Sequence, residues 1–490
     1  MEKGSGKNST VEQTKKVNMI ERKQSFGIII ATRNIFNFKL AVDARRKVLD
    51  KLSQMGFDYV ILQSEETPTG NIEGYEDAKK CARFFRQHAD KIDGIIVVLP
   101  NFGDELGVVN TIKLSGLNVP VLVQACDDDN DKVDVKNRRD AFCGKLSVCN
   151  NLYQYGIKFT DTTYHTYKIE SKEFTEDLHR FAAVCRVVKG MQGLRVGAIG
   201  TRPIGFQTMR FSEKILQKSG ITVVPVDMSE ILAAAEKIDE KSKEVIDKVN
   251  AIQEYGTCNI LHQGQISRQA RFGIAVERWI ENNDIDISAL QCWESIEKNY
   301  GCAACVTMSM MGEKLMPSAC EVDVAGTIGM YALALAANKP SALLDWNNNF
   351  GEDPNKVVCT HCSNYPKSFF GNDIEIGSLD ILGTVLGQEN TFGAVKGKVA
   401  AGEMTYFRIS TDDTRGIIKS YLGEGRITDD PYGMDGGIAV CEIPELQKLM
   451  KFMCKNGFEH HVGMVRDHVA DILEEAVGNY LGWELYRHDK

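Results

Sequence analysis

The chain has 490 residues, of which 43% are hydrophobic, and a formal net charge of −9. This length predicts about three domains of roughly 150 residues each, with enough apolar material for their cores. Because positive and negative residues are mixed along the whole chain, the sequence shows neither the basic surface of a nucleic-acid-binding protein nor a polybasic membrane patch. We therefore expect no nucleic-acid or membrane partner.

The first 25 residues are polar and contain no apolar segment of the kind found in secretory signals. We predict a disordered or surface arm over residues 1–25. Fourteen cysteines in a chain of this length, without such a signal, are typical of reduced intracellular thiols rather than of a disulfide scaffold. Both features predict a cytoplasmic protein.

Continuous apolar runs that alternate with helical stretches predict a first α/β domain over residues 26–172. The runs suit buried parallel strands, and the alternation is typical of a doubly wound fold. In such folds ligands bind at the carboxyl ends of the strands, where Arg33, Asn101 and Phe102 lie. The predicted strands are Phe26–Ala31, Asp58–Gln63, Gly94–Leu99 and Val119–Gln124, and the predicted helices are Phe38–Met55, Tyr75–Ala89 and Asp104–Leu114.

A second doubly wound α/β domain is predicted over residues 173–345. It starts with a helical segment at Glu173–Lys189, followed by a strand at Leu194–Gly200. Further strand-like segments occur at Ile221–Val226 and Ser288–Trp293.

The end of this second domain places carboxylates at both ends of a helix–strand unit. Glu321 and Asp323 directly precede an uncharged, mostly apolar run, Val324–Ala337. A membrane span needs about 20 residues, so this shorter run predicts a buried helix. Acids at a helix N-terminus are stabilised by the helix dipole, and capping accounts for Asp323 better than for Glu321. A short apolar strand then ends at Asp345, and such carboxylates are suitable ligands for a hard cation.

The last third predicts a β-rich, barrel-like domain over residues 346–490. Many short strands separated by turn residues are typical of an antiparallel sheet or barrel. A closing helix is predicted over His461–Leu481, where apolar residues recur at intervals of three and four. The predicted strands are Val357–His361, Asp373–Gly377, Gly393–Ala400, Thr405–Ser410, Gly416–Leu422 and Gly437–Cys441.

Two Cys-x-x-Cys pairs, Cys302/Cys305 and Cys359/Cys362, are candidate zinc ligands. A long segment containing the predicted buried helix separates them, and the first pair enters an apolar segment. Buried structural thiols are therefore the favoured interpretation.

A second set of candidate ligands contains no thiol. It combines Glu321 and Asp345 with His361 and the pair His460–His461. Two carboxylates with imidazole suit Mn²⁺, Mg²⁺ and related metals. A lone histidine is more often a satisfied polar residue than a ligand, so these residue types leave both interpretations open.

The order of several short motifs resembles that of the L-fucose isomerase and L-arabinose isomerase superfamily. Each motif is modest alone, but their shared order over about residues 26–490 is specific. This chain is shorter than a typical L-fucose isomerase and is similar to a compact, divergent branch. The matching segments are Arg33, Leu99–Glu105, Phe142–Gly144, Gly200–Phe206, Gln291–Trp293, Cys320–Asp323, Leu344–Asp345, His361–Cys362 and His460–His461.

The resemblance implies two α/β domains, a β-rich C-terminal domain and a homo-oligomer, often a hexamer. It also implies an aldose–ketose isomerase, an intramolecular oxidoreductase that uses Mn²⁺, with Mg²⁺ or Co²⁺ as alternatives. By position, Glu321 and Asp345 resemble the catalytic carboxylates that hold the metal, and His461 resembles its distal ligand. His361 stands where arabinose isomerases have another imidazole ligand and where the fucose branch manages without one.

The resemblance further implies that the active site is shared between subunits. A neighbouring subunit's first domain would bring its Arg33, Asn101 and Phe102 to the sugar. The full set of implied substrate-binding residues is Arg33, Asn101, Phe102, Phe206, Gln291, Trp293, His361 and His460.

The implied reaction moves a proton between C1 and C2 of a free monosaccharide through an enediol. An L-fucose-like or L-arabinose-like sugar and a charged hexose such as sulfoquinovose are all candidate substrates. Arg33, Arg202 and Arg210 are candidate partners for a sulfonate, although each is more readily explained as a structural ion pair or a surface group.

Two other classes of protein compete with this interpretation. Tandem α/β domains also build non-catalytic sugar-binding or sensor proteins, and a cytosolic binder of this kind is the main alternative. The set of Glu321, Asp345 and His461 and the β-rich third domain argue against it. A structural protein built around a zinc–thiolate site is a third interpretation.

Overall fold

The computed structural model describes residues 22–262, 264–371, 374–434, 436–488 and 490. The arm predicted over residues 1–25 lies almost entirely outside the described residues. In the described ranges, no helix is long and apolar enough to cross a membrane.

The first sheet is parallel, with the strand order β2-β1-β3-β4-β5. All residues of β1, β3 and β4 are buried, which explains their continuous apolar sequences. The predicted strands and helices of this region are confirmed to within a few residues. The strands are β1 (Ser25–Ile30), β2 (Asp58–Val60), β3 (Gly94–Leu99), β4 (Val121–Ala125) and β5 (Thr160–Asp161), and the helices are α1 (Lys39–Gln54), α2 (Gly74–Gln87), α3 (Glu105–Ser115) and α4 (Ala141–Gln154).

The second sheet is also parallel, with the order β10-β9-β6-β7. The strands of this region are β6 (Arg195–Ile199), β7 (Thr222–Val226), β8 (Thr257–Cys258), β9 (Ile287–Leu290) and β10 (Ser318–Cys320), of which β8 belongs to the third sheet. The helices are α5 (Lys172–Met191), α6 (Glu213–Lys218), α7 (Met228–Glu236), α8 (Lys243–Tyr255), α9 (Gln265–Asn282), α10 (Ser295–Asn299), α11 (Cys305–Glu313) and α12 (Val324–Ala337).

Helix α12 is the buried helix predicted from its apolar sequence. All of its residues except the last are buried, so the helix has no polar stripe. It packs against α5 and β9 and against three strands of the third sheet described next, Ser341–Asn349, Gly402–Asp412 and His461–Val465. Asp323 caps its N-terminus by accepting a hydrogen bond from the Gly326 backbone N–H, and Asn338 ends it in the left-handed conformation.

The third sheet is large and mixed, with the order β19-β16-β15-β18-β11-β12-β17-β14-β13-β8. Its strands are β11 (Ser341–Asn349), β12 (Lys356–His361), β13 (Glu375–Ser378), β14 (Phe392–Lys398), β15 (Gly402–Asp412), β16 (Ile417–Ile427), β17 (Gly437–Glu442), β18 (His461–Val465) and β19 (Glu484–Arg487). The helices here are α13 (Asp380–Leu386), α14 (Leu446–Lys455) and α15 (Ala470–Leu473), which continues as a π-helix over Glu474–Leu481.

The two parallel sheets with their helices and the large mixed sheet confirm the prediction of α/β units followed by a β-rich region. An additional pairing joins β16 to β17, two strands that are not neighbours in the sheet order. A doubly wound arrangement and a barrel stay predictions. The predicted domain boundary at residue 345 falls inside β11, a strand of the third sheet.

The closing helix predicted from His461 is wrong at its start. His461–Val465 forms β18, a fully buried strand between β11 and β15, and the helix begins only at Ala470. A short apolar run buried on both faces has no period that distinguishes strand from helix. The apolar spacing that predicts a helix from His461 therefore spans a strand and a loop before the helix begins.

Candidate active site

Strand register brings the candidate ligands together. Asp345 in β11 pairs with His461 in β18 on one side and with Thr360, the neighbour of His361, on the other. Glu321 directly follows β10 and precedes α12, which packs against β18. Side chains on adjacent strands lie about 5 Å apart, so a few residues from distant parts of the chain meet at one point.

The resulting cluster is centred on His461. Its Nε2 atom lies 3.3 Å from Oε2 of Glu321 and 3.4 Å from Oδ1 of Asp345. His361 and His460 each place Nε2 at 3.9 Å from the same Oδ1 atom of Asp345. In two overlapping groups, Glu321/His361/His461 and Asp345/His460/His461, one ligand atom of each residue lies within 4.8 Å of the others.

Several of these polar atoms are buried and make no hydrogen bond to any residue that the structure describes. They are Oε2 of Glu321, Oδ1 of Asp345 and both ring nitrogens of His361. Buried polar atoms are nearly always hydrogen-bonded, so a convergent set without partners requires an explanation. Carboxylate oxygens and imidazole nitrogens without thiolate fit a divalent cation such as Mn²⁺, Mg²⁺ or Co²⁺.

Glu321 is held in a strained turn. Glu321 and Val322 have φ angles of 60° and 54°, both in the left-handed region. This conformation is unusual for a non-glycine residue and especially for a β-branched one, and it costs on the order of 1–3 kcal/mol for each residue. The buried cap of α12 at Asp323 follows at once and restrains the turn. Such strain is typical of functional sites.

Charge in the cluster favours ionised carboxylates. Burial alone would lower the pKa of His461, but the neighbouring carboxylates of Asp323 and Glu321 raise it to about 10. Burial would raise the pKa of Glu321, but contact with His461 and the nearby His361 lowers it overall. Burial and the charge of His461 lower the pKa of His460. A cation held at Nε2 of His461 would take the place of a proton there.

Aromatic residues line one side of the cluster. Trp293 donates a hydrogen bond from Nε1 to Oε1 of Glu321 at 3.2 Å. The ring of Phe206 lies 5.1 Å from Trp293 and 5.9 Å from His460, edge to face in both cases. Gln291 is placed differently: its Oε1 accepts a hydrogen bond from the Thr201 N–H at 3.0 Å and holds the loop that carries Phe206.

Arg33, Asn101 and Phe102 form a separate group at the carboxyl edge of the first sheet. Arg33 pairs with Glu105 and lies over the Phe102 ring, with 4.4 Å between its guanidinium carbon and the ring centre. Asn101 is fully buried and donates to Oγ1 of Thr32 at 2.9 Å. Among the described residues, no hydrogen bond, ion pair or ring contact joins this group to the cluster around His461.

The other two arginines considered for a sulfonate lie near the loop after β6. Arg202 makes only two long contacts, both 3.5 Å, to the backbone carbonyls of Pro203 and Phe206. Arg210 donates from Nε to the Gln207 carbonyl at 2.9 Å. Both line a cavity of about 720 Å³ between this loop and β15.

The Cys-x-x-Cys pairs do not form a thiolate cluster. The two candidate metal groups found within the described ranges contain no cysteine. Burial raises the pKa of the thiols of Cys302, Cys305, Cys359 and Cys362, which keeps them protonated. This environment favours structural thiols over a zinc site.

Sequence reasoning missed two charged residues near His461, Arg408 and Glu459. Arg408 in β15 is almost completely buried and pairs with both Asp323 and Glu459. An arginine inside the apolar segment Tyr406–Ile409 was the available signal, because a fully buried arginine requires a carboxylate partner.

Two family models match this chain. The family model for the fucose/sulfoquinovose isomerase N-terminal domain matches residues 27–192, and that for the L-fucose isomerase C-terminal domain matches residues 359–488. Together they cover more than half of the chain. Sulfoquinovose isomerases from Priestia aryabhattai and Priestia megaterium are each 24% identical over 456 residues, which is 92% of this chain and 96% of theirs.

A sulfoquinovose isomerase from Alkalicoccus urumqiensis is 26% identical over 303 residues, covering 61% of this chain and 66% of its own. Among solved structures, an ABC transporter solute-binding protein from Burkholderia multivorans aligns at 13% identity over 65% of this chain and 95% of its own. Its TM-score of 0.16 is too low to support any argument. On the two domain matches and the near full-length relatives, the chain belongs to the fucose/sulfoquinovose isomerase family of aldose–ketose isomerases, in a divergent branch similar to L-fucose isomerase.

Proposed function

We propose that this protein is a metal-dependent isomerase that converts a free aldose to its ketose through an enediol. The observation that carries the proposal is the convergence of Oε2 of Glu321 and Oδ1 of Asp345 on Nε2 of His461, with neither oxygen hydrogen-bonded to another described residue. Membership of an isomerase family supports the same conclusion.

Glu321, Asp345 and His461 would hold the metal, which we propose to be Mn²⁺, with Mg²⁺ and Co²⁺ as alternatives. His361 is available as a further ligand, because neither of its ring nitrogens is hydrogen-bonded in the ranges that the structure describes. When bound, such an ion polarises the O1 and O2 atoms of the sugar and stabilises the negative charge that develops on them.

Two carboxylates can divide the proton transfers between them if their environments differ. Glu321 is buried, its pKa is lowered by His461 and His361, and Trp293 holds its other oxygen. We assign to Glu321 the removal of the C2 proton. The side chain of Asp345 is 25% exposed, and we assign to it the transfer of the hydroxyl proton.

The substrate we propose is a charged hexose of the sulfoquinovose type. Support comes from relatives that bear the name sulfoquinovose isomerase and span 92% of this chain. A sulfonate requires a cationic partner, and Arg202 is suitable because it lies in the loop that carries Phe206 and has only long contacts of its own. L-Fucose and L-arabinose remain substrates to be tested.

We also propose a cytoplasmic homo-oligomer, with a hexamer as the expected form. In it, the Arg33, Asn101 and Phe102 group of one subunit completes the site of another. Apolar side chains exposed at the same edge of the first sheet support this assembly. They are Ile35 at 78%, Phe38 at 46%, Phe142 at 39% and Leu146 at 57% exposure.

A panel of aldoses tests the activity. Protein treated with EDTA, with and without added Mn²⁺, is assayed for ketose formation from sulfoquinovose, L-fucose, L-arabinose and D-arabinose. Mn²⁺-dependent turnover of sulfoquinovose above the neutral sugars is expected. Turnover that is unaffected by chelation would contradict the metal site. Sugar binding without turnover in metal-loaded protein would instead support a non-catalytic sugar-binding protein.

A further inference from the structure

The carboxylate of Asp323 makes more hydrogen bonds than a helix cap requires. Its Oδ1 accepts from the Gly326 N–H at 2.8 Å, which is the capping bond. The same carboxylate also accepts from Nη1 and Nη2 of Arg408, the latter at 3.1 Å, and lies 2.8 Å from Nδ1 of His461. A serine or asparagine would satisfy the cap alone, so the negative charge has another role.

The contact with His461 decides which ring nitrogen faces the candidate metal site. An ionised carboxylate only accepts hydrogen bonds, so Nδ1 of His461 is the donor. Nε2 is then the atom left to bind a cation, and it is the atom that faces Glu321 and Asp345 at 3.3 and 3.4 Å. Metal-binding histidines commonly use a carboxylate on the opposite nitrogen to hold the ring in this way.

Contact with Arg408 distinguishes Asp323 from the two carboxylates that face the site. It lies 1% exposed in β15, and its guanidinium also donates from Nε to Oε2 of Glu459 at 3.2 Å. Both oxygens of Asp323 are therefore occupied by donors, whereas Oε2 of Glu321 and Oδ1 of Asp345 make no hydrogen bond within the described part of the chain. A carboxylate bound by a buried guanidinium fork cannot rotate to join the other two.

We propose that Asp323, fixed by Arg408, is a positioning residue that presents Nε2 of His461 to the metal. This inference rests on the proposed function, because it requires the metal site described above. Asp323 itself touches neither metal nor sugar in this scheme.

The test is the substitution Asp323→Asn, which keeps the shape and the capping oxygen and removes the charge. Mn²⁺ binding to the full chain, stripped with EDTA, is measured by titration calorimetry. The dissociation constant is expected to rise about 10–100-fold relative to the unaltered chain. The visible absorption of Co²⁺ at saturation is expected to change, because it reports on ligand geometry and not on helix capping.

The matched control is Asp227→Asn. Asp227 caps α7 by accepting from the Ser229 N–H at 2.8 Å and follows β7, the edge strand of the second sheet opposite β10. Its substitution should leave both Mn²⁺ affinity and the Co²⁺ spectrum unchanged. If Asp323→Asn does not fold, the double variant D323N/R408Q, which removes one charge of each sign and keeps an amide donor for Glu459, replaces it, with the same expected loss of affinity.

Two results would overturn the proposal, and they are distinguishable. If the unaltered chain binds neither Mn²⁺ nor Co²⁺, the metal site is wrong and Asp323 has no metal ligand to position. If the unaltered chain binds Mn²⁺ and folded Asp323→Asn, or the double variant, binds it equally tightly with the same Co²⁺ spectrum, the positioning role alone is wrong.

Discussion

At the scale of single residues, the same side-chain type has different roles in different surroundings. Glu321, Asp323 and Asp345 are three carboxylates around one imidazole. Arg408 and a helix N-terminus satisfy Asp323, whereas the other two direct an unpaired oxygen at Nε2 of His461. Carboxylates in one cluster are therefore distinguished by their hydrogen-bond partners and not by their sequence context.

Glu321→Gln and Asp345→Asn each remove one proposed ligand and proton carrier while keeping the size of the side chain. We expect each variant to assemble normally and to lose turnover by at least about 100-fold, the usual contribution of a positioned acid or base. Ketose formation and size-exclusion chromatography measure the two properties. Near-normal activity in either variant would remove that residue from the mechanism.

Glu297 on α10 predicts a dependence of stability on pH. Its side chain is buried, neither oxygen is hydrogen-bonded within the protein, and burial raises its pKa to about 8. Since the folded state keeps a proton that the unfolded state releases at lower pH, this residue contributes most stability at low pH. The contribution is lost as pH rises to about 8, at roughly 1.4 kcal/mol per pH unit.

The substitution Glu297→Gln should remove this slope. Thermal unfolding is measured at several pH values from 5 to 9. The stability of the variant relative to the unaltered chain should increase up to about pH 8 and stay constant above it. Glu294→Gln, at an exposed neighbour paired with Lys298, is the control. Parallel curves for Glu297→Gln over the whole range would contradict the buried ionisation.

At the scale of elements, α12 and β18 show what local pattern can and cannot predict. The apolar sequence of α12 predicted a buried helix, and the structure confirms it, because a run of 14 residues is longer than a typical buried strand. The sequence His461–Val465 carried no comparable signal. Its strand conformation comes from hydrogen bonds to β11 and β15, which only the assembled sheet supplies.

Two glycines in α12 give a matched pair of substitutions. A Cβ atom at Gly326 would overlap the carboxylate of Asp323 and the guanidinium of Arg408, whereas one at Gly329 would lie in ordinary contact, 3.5 Å from the Phe407 carbonyl. Gly326→Ala is expected to destabilise by about 1–3 kcal/mol through overpacking. Gly329→Ala should be neutral or stabilise by up to about 1 kcal/mol, since alanine favours helix.

Chemical unfolding of both variants measures the difference. The proposed positioning role of Asp323 adds that Gly326→Ala, unlike Gly329→Ala, should weaken Mn²⁺ binding. Equal stability of the two variants would show that Asp323 and Arg408 move apart at little cost.

At the scale of the whole molecule, the proposed shared site makes complementation possible. Glu321→Gln and Arg33→Ala should each be inactive as pure oligomers. In mixed oligomers, some sites combine an intact Glu321 from one subunit with an intact Arg33 from its neighbour. Random mixing should restore about one quarter of full activity if each site takes one part from each of two subunits.

Co-expression or reassembly of the two variants, followed by assay of ketose formation, measures this recovery. The control is a mixture of the two pure oligomers under conditions in which subunits do not exchange. It should show no recovery of activity. Absence of recovery in verified mixed oligomers would place all the residues of a working site within one chain.

Sequence alone determined the elements whose burial is uniform. Continuous apolar runs can only be strands or helices covered on every side, so the parallel strands of the first sheet and helix α12 could be predicted to within a few residues. Motif order was likewise sufficient to indicate the family, because short motifs that are weak alone become specific in a shared order.

Only the tertiary structure decided which side chains meet. Both histidines of the His460–His461 motif approach Asp345, and only the packing of the assembled sheet against α12 decides that His461 is buried while the side chain of His460 is 40% exposed. Arg408 pairs with Asp323, which lies 85 residues earlier in the chain. No local pattern encodes such a pair, because its stabilisation exists only once the sheet and α12 are packed together.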